Sequence, residues 1–138
     1  MKRAIFPVLT LALGISLAPP ELQGQSIPIF NTVKTKLENG QQVVGGTVSS
    51  PDQDLYCAVA NSGFDFTWIE MQHSPLTYAE VARMIWACPD AEAIPFIRIP
   101  APTEGDIQKA TDIGALGIIV PMVDSMDEIR DAVTYAHY

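Results

Sequence analysis

The sequence predicts an α/β protein in which the strands of one parallel sheet alternate with helices. Short apolar or β-branched runs begin near residues 43, 66, 94 and 117, and a segment with helical periodicity follows each run. The runs lie 23, 28 and 23 residues apart, enough for a strand, a helix and two short connections. The pattern therefore indicates four successive βα units.

The composition fits one globular domain. The chain has 138 residues with 48% hydrophobic and 17% charged residues, which is too apolar for a disordered protein. Sixteen Asp and Glu against eight Lys and Arg give a net charge of −8, and no basic cluster offsets it. This charge argues against a nucleic-acid partner. Two cysteines are too few for a disulfide scaffold or a four-cysteine zinc site.

The N-terminal residues have the features of a signal peptide, which we expect over residues 1–25. Lys2 and Arg3 precede an apolar segment at residues 5–18, shorter than the roughly 20 residues of a spanning helix. An uncleaved N-terminal anchor is the alternative. We therefore expect an exported chain, periplasmic or secreted, without a stable membrane span. In such a chain Cys57 and Cys88 can form a disulfide, although two buried free thiols fit their apolar helical faces equally well.

A short helix and the first βα unit are predicted after this segment. The helix covers residues 31–39, with an asparagine at its start as N-cap and Gly40 at its end. The β-branched run 43–48 (VVGGTV) is the first strand. Ser50 and Pro51 open the next helix, with proline at its first position.

The second and third units carry clear boundary signals. Residues 64–71 (FDFTWIEM) are predicted as a strand. Thr77 and Glu80 have capping-box spacing, and apolar residues follow at helical intervals: Val81, Met84, Ile85 and Cys88. Residues 94–99 (IPFIRI) are the third strand, and residues 104–112 are the helix after it.

The fourth unit consists of a strand at residues 117–120 (GIIV) and a helix capped by Ser125 and Glu128. Acidic residues on this helix are expected to form a solvated face: Asp124, Asp127, Glu128 and Asp131. The third and fourth strands are apolar on both faces, which is typical of parallel strands covered on both sides.

The repeating units fit either an open doubly wound sheet or part of a (β/α)₈ barrel. Gly45 and Gly46 lie inside a strand, and no glycine-rich phosphate turn follows it, so a dinucleotide-binding fold is disfavoured. A full barrel takes about 250 residues, so four units make a compact four-stranded sheet or half a barrel. In both architectures the chemistry lies at the carboxyl ends of the strands.

Those strand ends carry polar residues suited to acid–base chemistry and anion binding. Glu70, Gln72 and His73 follow the second strand, and Arg98 ends the third. Histidine transfers protons near neutral pH, and arginine has a planar fork that fits a carboxylate. Because a buried arginine needs an anionic partner, an ion pair between Arg98 and Glu70 is an equal alternative to a substrate clamp. For His73 the alternative is a solvated loop residue.

Several ordered segments resemble the HpcH/HpaI aldolase and citrate lyase family, in particular its class II 2-oxo-acid aldolases. The resemblance covers residues 29–138 and begins with the helix NTVK through Gly40. Residues 64–75 are similar to the family's "D-x-E-H-x-P" stretch, and residues 97–100 (IRIP) to its "V-R-x-P". Residues 112–123 look like its "D-x-G-A…V-P-M-V".

The resemblance implies a (β/α)₈ TIM barrel, of which this chain holds an N-terminal helix and about the first four βα units. It implies a metal-dependent aldolase or lyase that cleaves a C–C bond of a pyruvate-derived 2-oxo hydroxy acid, with Mg²⁺ or Mn²⁺ holding the enolate. The metal ligands of the family follow strands five and six, so we expect a truncated, inactive N-terminal fragment of a trimeric or hexameric enzyme. The alternative is an inactive small-carboxylate-binding or structural protein with the same fold.

The resemblance also implies roles for five residues. His73 is the acid–base group, and Arg98 binds the pyruvate moiety. Asp112 pairs with the histidine, and we expect this across subunits because it ends a helix on the opposite barrel face. Glu70 and Gln72 stand where the family has aspartate and glutamate; they are candidates for catalysis and substrate binding.

Overall fold

The computed structural model describes residues 30–137, so the signal peptide predicted over residues 1–25 lies outside the described residues. Helices and strands alternate within this range: α1 Thr32–Glu38, β1 Gly45–Val48, α2 Gln53–Ala60, β2 Phe66–Glu70, α3 Tyr78–Ala87, β3 Ile94–Arg98, α4 Glu104–Asp112, β4 Gly117–Ile119 and α5 Met126–Tyr135. None of these helices is long and apolar enough to cross a membrane.

The sheet has its strands in chain order. β1 pairs with β2, β2 with β3 and β3 with β4, and every pair is parallel. A doubly wound sheet reverses its strand order at a switch point, whereas a barrel adds each new strand beside the preceding one. The observed order is therefore that of a barrel segment, and the doubly wound alternative is wrong.

The two faces of the sheet differ in how they are covered. Side chains alternate along a strand, and one set is fully buried under the helices: Val48, Thr67, Ile69 and Ile97. The opposite set forms what we call the inner face, and its members in β2 and β3 are mostly half-buried: Phe66, Trp68, Glu70, Phe96 and Arg98. The hydrophobic core lies between the sheet and the helices. The polar residues Glu70 and Arg98 are on the inner face, at the carboxyl ends of β2 and β3.

Glycines on the edge strands make room for the aromatic rings of the inner face. A Cβ at Gly45 would lie 2.3 Å from the Phe66 ring, and one at Gly117 would lie 2.3 Å from the Phe96 ring. The two rings contact each other with centroids 4.8 Å apart. Larger residues at either glycine would displace this aromatic pair.

Helix α1 is held against the amino ends of the strands. The Asn31 side chain donates to the carbonyl oxygen of Leu116 over 2.7 Å, just before β4. Lys36 forms an ion pair with Asp65, just before β2. The carboxyl ends of the strands therefore remain free of α1.

The helix starts follow the predicted capping signals with one exception. Both capping boxes, Thr77 with Glu80 and Ser125 with Glu128, are present. The prediction that Ser50 and Pro51 open α2 is wrong. Asp52 is the N-cap because its carboxylate accepts from two backbone N–H groups, at 2.9 and 3.0 Å.

All four strands are shorter than predicted, β2 by three residues and β3 by one. β1 begins at Gly45 because the N–H of Val44 donates to the Asp65 carboxylate over 2.7 Å instead of to a strand. β4 ends at Ile119, and all three of its residues are only half-buried. Within the described part of the chain, helices cover one face of β3 and β4.

Cys57 and Cys88 form a disulfide between α2 and the end of α3, with their Cα atoms 5.8 Å apart. Both residues are half-buried. The alternative of two buried free thiols is therefore wrong. The bond joins two neighbouring helices that pack on the same side of the sheet.

Removing this disulfide is expected to lower the free energy of unfolding by about 3–4 kcal/mol, because a crosslink 31 residues long in sequence restricts the unfolded chain. Urea unfolding with and without dithiothreitol measures the effect. The Cys57→Ala/Cys88→Ala variant is the control and should not respond to the reductant. Equal midpoints for the oxidised and reduced protein would contradict the expectation.

Candidate functional site

The carboxyl ends of β2 and β3 bring two charged side chains together. Glu70 and Arg98 are register partners at the last position of each strand. Nη1 of Arg98 lies 3.0 Å from Oε2 of Glu70, and the side chains are 26% and 12% exposed. The ion pair that the sequence left open is therefore present, at the end of the sheet where barrel chemistry is found.

The Glu70 carboxylate accepts hydrogen bonds from four groups. Oε2 accepts from the Trp68 indole N–H at 3.1 Å and from Arg98 at 3.0 Å. Oε1 accepts from the backbone N–H groups of Gln72, at 2.8 Å, and His73, at 3.1 Å. One carboxylate thus connects β2, β3 and the turn that carries the histidine.

These hydrogen bonds set the charge of Glu70. Burial raises the pKa of its carboxyl group, but the hydrogen bonds from Arg98, the His73 backbone and Trp68 outweigh burial and hold the pKa below its ordinary value. Glu70 is therefore an ionised acceptor at neutral pH. Its surroundings suit a positioning role better than the proton transfer for which the sequence made it a candidate.

Arg98 keeps most of its hydrogen-bonding capacity. A guanidinium has five N–H donors, and within residues 30–137 the bond to Glu70 is the one hydrogen bond that this side chain makes. The guanidinium carbon lies 5.9 Å from the centroid of the Trp68 ring, within the range of a cation–π contact. The remaining donors are available for a carboxylate ligand.

His73 and Gln72 lie in the turn after β2. His73 is exposed, and its ring makes no hydrogen bond to any residue in the described range. Oε1 of Gln72 is shielded from solvent and likewise has no hydrogen-bond partner there. Because buried acceptors are normally paired, this oxygen is a ready acceptor for a hydroxyl or N–H donor.

Asp112 is not brought to this site within one chain. It is exposed at the last residue of α4, where the chain returns to the amino end of the sheet. His73 lies beyond the opposite end of the strands. Within one chain the two residues therefore lie toward opposite ends of the sheet.

Trp68 is a site residue that the sequence analysis missed. It lies two residues before Glu70 on the same strand, so strand alternation places both on the inner face. That spacing is visible in the sequence and is the signal that identifies Trp68. Its partner Arg98 depends on the register between β2 and β3, which the sequence does not specify.

The segment after β4 contributes an unusual backbone conformation to the same end of the sheet. Met122 has φ 52°, in the left-handed region that residues other than glycine rarely adopt. Pro121 before it is buried, whereas Met122 itself is 62% exposed. Such conformations cluster at binding and catalytic sites, which is consistent with a functional rim here.

The described residues do not form a metal site. Residues 30–137 contain no group of three or more His, Cys, Asp or Glu side chains that fits a metal ion.

An apolar cavity at the edge of the sheet is separate from the polar residues of the site. It has a volume of about 500 Å³ and lies between β4, α4 and α5, with apolar walls that include Ile118, Ile129 and Val133. It borders the edge strand and contains none of the polar residues described above.

Comparisons with known proteins agree with the fold. The HpcH/HpaI aldolase/citrate lyase profile matches residues 47–138. A hydroxypyruvate/pyruvate aldolase from Rhizorhabdus wittichii is 35% identical over 109 residues, which are 79% of this chain and 43% of the relative. The chain thus spans less than half the length of this curated relative.

Two solved structures share the fold. The crystal structure of the citrate synthase SbnG has a TM-score of 0.70 and 36% identity, covering 77% of this chain and 43% of that one. An HpcH/HpaI aldolase/citrate lyase family protein from Burkholderia cenocepacia has a TM-score of 0.73 and 26% identity, covering 78% and 43%. The described sheet is therefore a partial TIM barrel, as predicted.

The variant Glu70→Gln is expected to lower the free energy of unfolding at neutral pH by about 1–3 kcal/mol, because Arg98 loses its carboxylate partner. The folded pKa of Glu70 lies below the ordinary 4.5, so its stabilising contribution is present above that pH. The contribution is lost as the pH falls through the folded pKa. The gap in unfolding free energy between wild type and variant should therefore shrink below pH 4.5.

Urea titrations of both proteins from neutral to acidic pH test this expectation. Glu92→Gln, at an exposed carboxylate, is the matched control and should leave the free energy of unfolding almost unchanged. A gap between wild type and Glu70→Gln that stays constant at low pH would contradict the account of Glu70.

Proposed function

The chain belongs to the HpcH/HpaI aldolase/citrate lyase family, and on this basis we propose that it acts as a carbon–carbon lyase on a 2-oxo acid. The substrate is a hydroxy acid derived from pyruvate, cleaved to pyruvate and an aldehyde. The observation that carries the proposal is Arg98, held at the strand ends by Glu70 with most of its donors unused, beside the exposed His73.

Arg98 binds the carboxylate of the substrate in this proposal. Arginine presents paired N–H donors that match two carboxylate oxygens, and such charge-assisted bonds are stronger than neutral ones. The ion pair with Glu70 fixes the guanidinium before the substrate arrives. Binding energy is then not consumed in ordering the arginine side chain.

His73 moves the proton. In a retro-aldol cleavage a base removes the proton of the substrate hydroxyl, the neighbouring C–C bond breaks, and its electron pair passes to the pyruvate enolate. Return of a proton to the enolate carbon gives pyruvate. Neutral imidazole is suited to both transfers. We further propose that Asp112 of a second copy orients His73, which makes a homo-oligomer, a trimer or hexamer, part of the working enzyme.

The metal dependence implied by the family belongs to the same proposal. Mg²⁺ or Mn²⁺ would stabilise the charge of the enolate. The described residues do not fit such an ion by themselves, so its ligands would have to come from outside residues 30–137. The residues described above account for binding of the carboxylate and for transfer of the proton.

A second candidate function is binding of small carboxylates without turnover. Gln72 favours it, because it places a neutral amide where the family motif has a glutamate. The proposed carboxylate clamp of Arg98 and Glu70 does not involve the Gln72 side chain. A protein of this kind would bind pyruvate or oxalate and release no product.

We also propose that the protein is exported. The charged and apolar N-terminal segment supports this, and so does the Cys57–Cys88 disulfide, since such bonds persist in oxidising compartments.

His73→Ala is expected to lower kcat for pyruvate release by about 10²–10⁴-fold, because it removes the acid–base group. Arg98→Ala is expected to lower kcat/KM by about 10–100-fold, because it removes the charge-assisted bonds to the carboxylate. Both are measured on the protein as its gene encodes it, with 4-hydroxy-2-oxo acids as substrates and Mg²⁺ or Mn²⁺ present.

His137→Ala is the matched control, since His137 is exposed at the end of α5, away from Arg98, and should retain full activity. Wild-type rates in His73→Ala would refute the role of the histidine. Tight binding of pyruvate by a wild-type protein that releases no product would decide for the second candidate function.

A further inference from the structure

Trp68 contacts both members of the central ion pair. Its indole N–H donates to Oε2 of Glu70 over 3.1 Å, and this same oxygen accepts from Arg98 over 3.0 Å. The Trp68 ring centroid is 5.9 Å from the guanidinium carbon of Arg98. The three side chains form a closed triangle on the inner face.

We propose that Trp68 is a positioning residue for Arg98: it fixes the Glu70 carboxylate through its N–H and supports the guanidinium with its ring. Arg98 is thereby held in one conformation while its remaining donors stay available to a ligand. The inference rests on the proposed function only for the identity of that ligand, a 2-oxo acid carboxylate.

The chemistry of indole suits this role. Its N–H donates a hydrogen bond and cannot accept one, so Trp68 satisfies Glu70 without competing for the donors of Arg98. Its flat face attracts the guanidinium. Phenylalanine offers the face without the donor, and histidine or glutamine would add an acceptor that engages Arg98 directly.

Trp68 lies on the face of β2 opposite the hydrophobic core of the described residues. Its neighbours Thr67 and Ile69 are fully buried on the helix-facing side of β2. Trp68 lies on the inner face and is only half-buried. Within residues 30–137 it lies outside the hydrophobic core, and its contacts with Glu70 and Arg98 are interactions that a substitution would change.

Arg98 also needs such support. A free arginine side chain has many accessible rotamers, and Arg98 is 26% exposed at the end of its strand. One hydrogen bond to Glu70 leaves rotation about the side-chain bonds possible. The ring of Trp68 adds a second contact, and the two contacts together hold the guanidinium of Arg98 in one position.

The first test uses the ligand-free protein and does not depend on its activity. Two variants separate the contributions: Trp68→Phe keeps a ring and removes the donor, and Trp68→Leu removes both. NMR measures solvent exchange of the Arg98 side-chain N–H groups. Exchange should be about fivefold faster in Trp68→Phe and faster still in Trp68→Leu. Unchanged exchange in both variants would overturn the inference.

The second test measures binding of pyruvate and oxalate by calorimetry. Affinity should fall about fivefold in Trp68→Phe and further in Trp68→Leu. Trp86→Phe is the matched control, since Trp86 on α3 is 66% exposed, and it should bind as wild type does. In a double-mutant cycle, Trp68→Phe should lower the affinity much less in the Glu70→Gln background than in the wild type, because the indole N–H acts through the Glu70 carboxylate. Fully additive effects would overturn the inference.

The two tests separate this inference from the proposed function. If the wild-type protein binds neither pyruvate nor oxalate, the proposed function fails, and the exchange rates of Arg98 still decide the role of Trp68. If the ligands bind and the exchange rates do not respond to either variant, the proposed function stands and the positioning role of Trp68 is refuted.

Discussion

The carboxylate of Glu70 connects parts of the chain that no other side chain in the site joins. It accepts from Arg98 across the sheet, from Trp68 on its own strand and from two backbone N–H groups of the turn that carries His73. Each donor favours the ionised carboxylate, so together they keep its pKa low against the effect of burial. The position of the arginine and the course of the turn therefore depend on the same negative charge.

This arrangement requires the register of a parallel sheet. Glu70 and Arg98 are opposite each other because β2 and β3 begin together, at Phe66 and Ile94, and have equal length. The period of two along each strand then separates the molecule into a helix-facing core and an inner face. A slip of one residue would turn Arg98 toward the helices, where Ile97 is now fully buried. The hydrophobic core thus fixes the register, and the register assembles the ion pair.

Local features of this protein were predictable from the sequence, and features that depend on tertiary contacts were less so. The capping boxes at Thr77 and Ser125 involve residues three apart, and both are present as predicted. The start of α2 was misplaced because two capping signals lie within one turn: Pro51 favours a helix that begins there, and the Asp52 carboxylate caps a helix that begins at Gln53. The disulfide and the role of Trp68 depend on partners about 30 residues away, Cys88 and Arg98, and composition cannot specify such pairs. The positions of Arg98 at the end of the third strand and of His73 just after the second were predicted and are confirmed, because they depend only on where each strand ends along the chain.

The neutral Gln72 changes the charge balance of the site. A glutamate at this position would add a second negative charge to the segment that begins with Glu70. With glutamine the charges of Glu70 and Arg98 cancel, and Oε1 of Gln72 remains an acceptor without a partner in the described residues. The neutral side chain therefore leaves Glu70 as the one carboxylate of residues 70–73, and the buried oxygen of Gln72 favours a hydroxyl or N–H donor as its partner. In the proposed function a carboxylate that orients His73 has to come from a residue other than Gln72, and Asp112 of a second copy is the one that we propose.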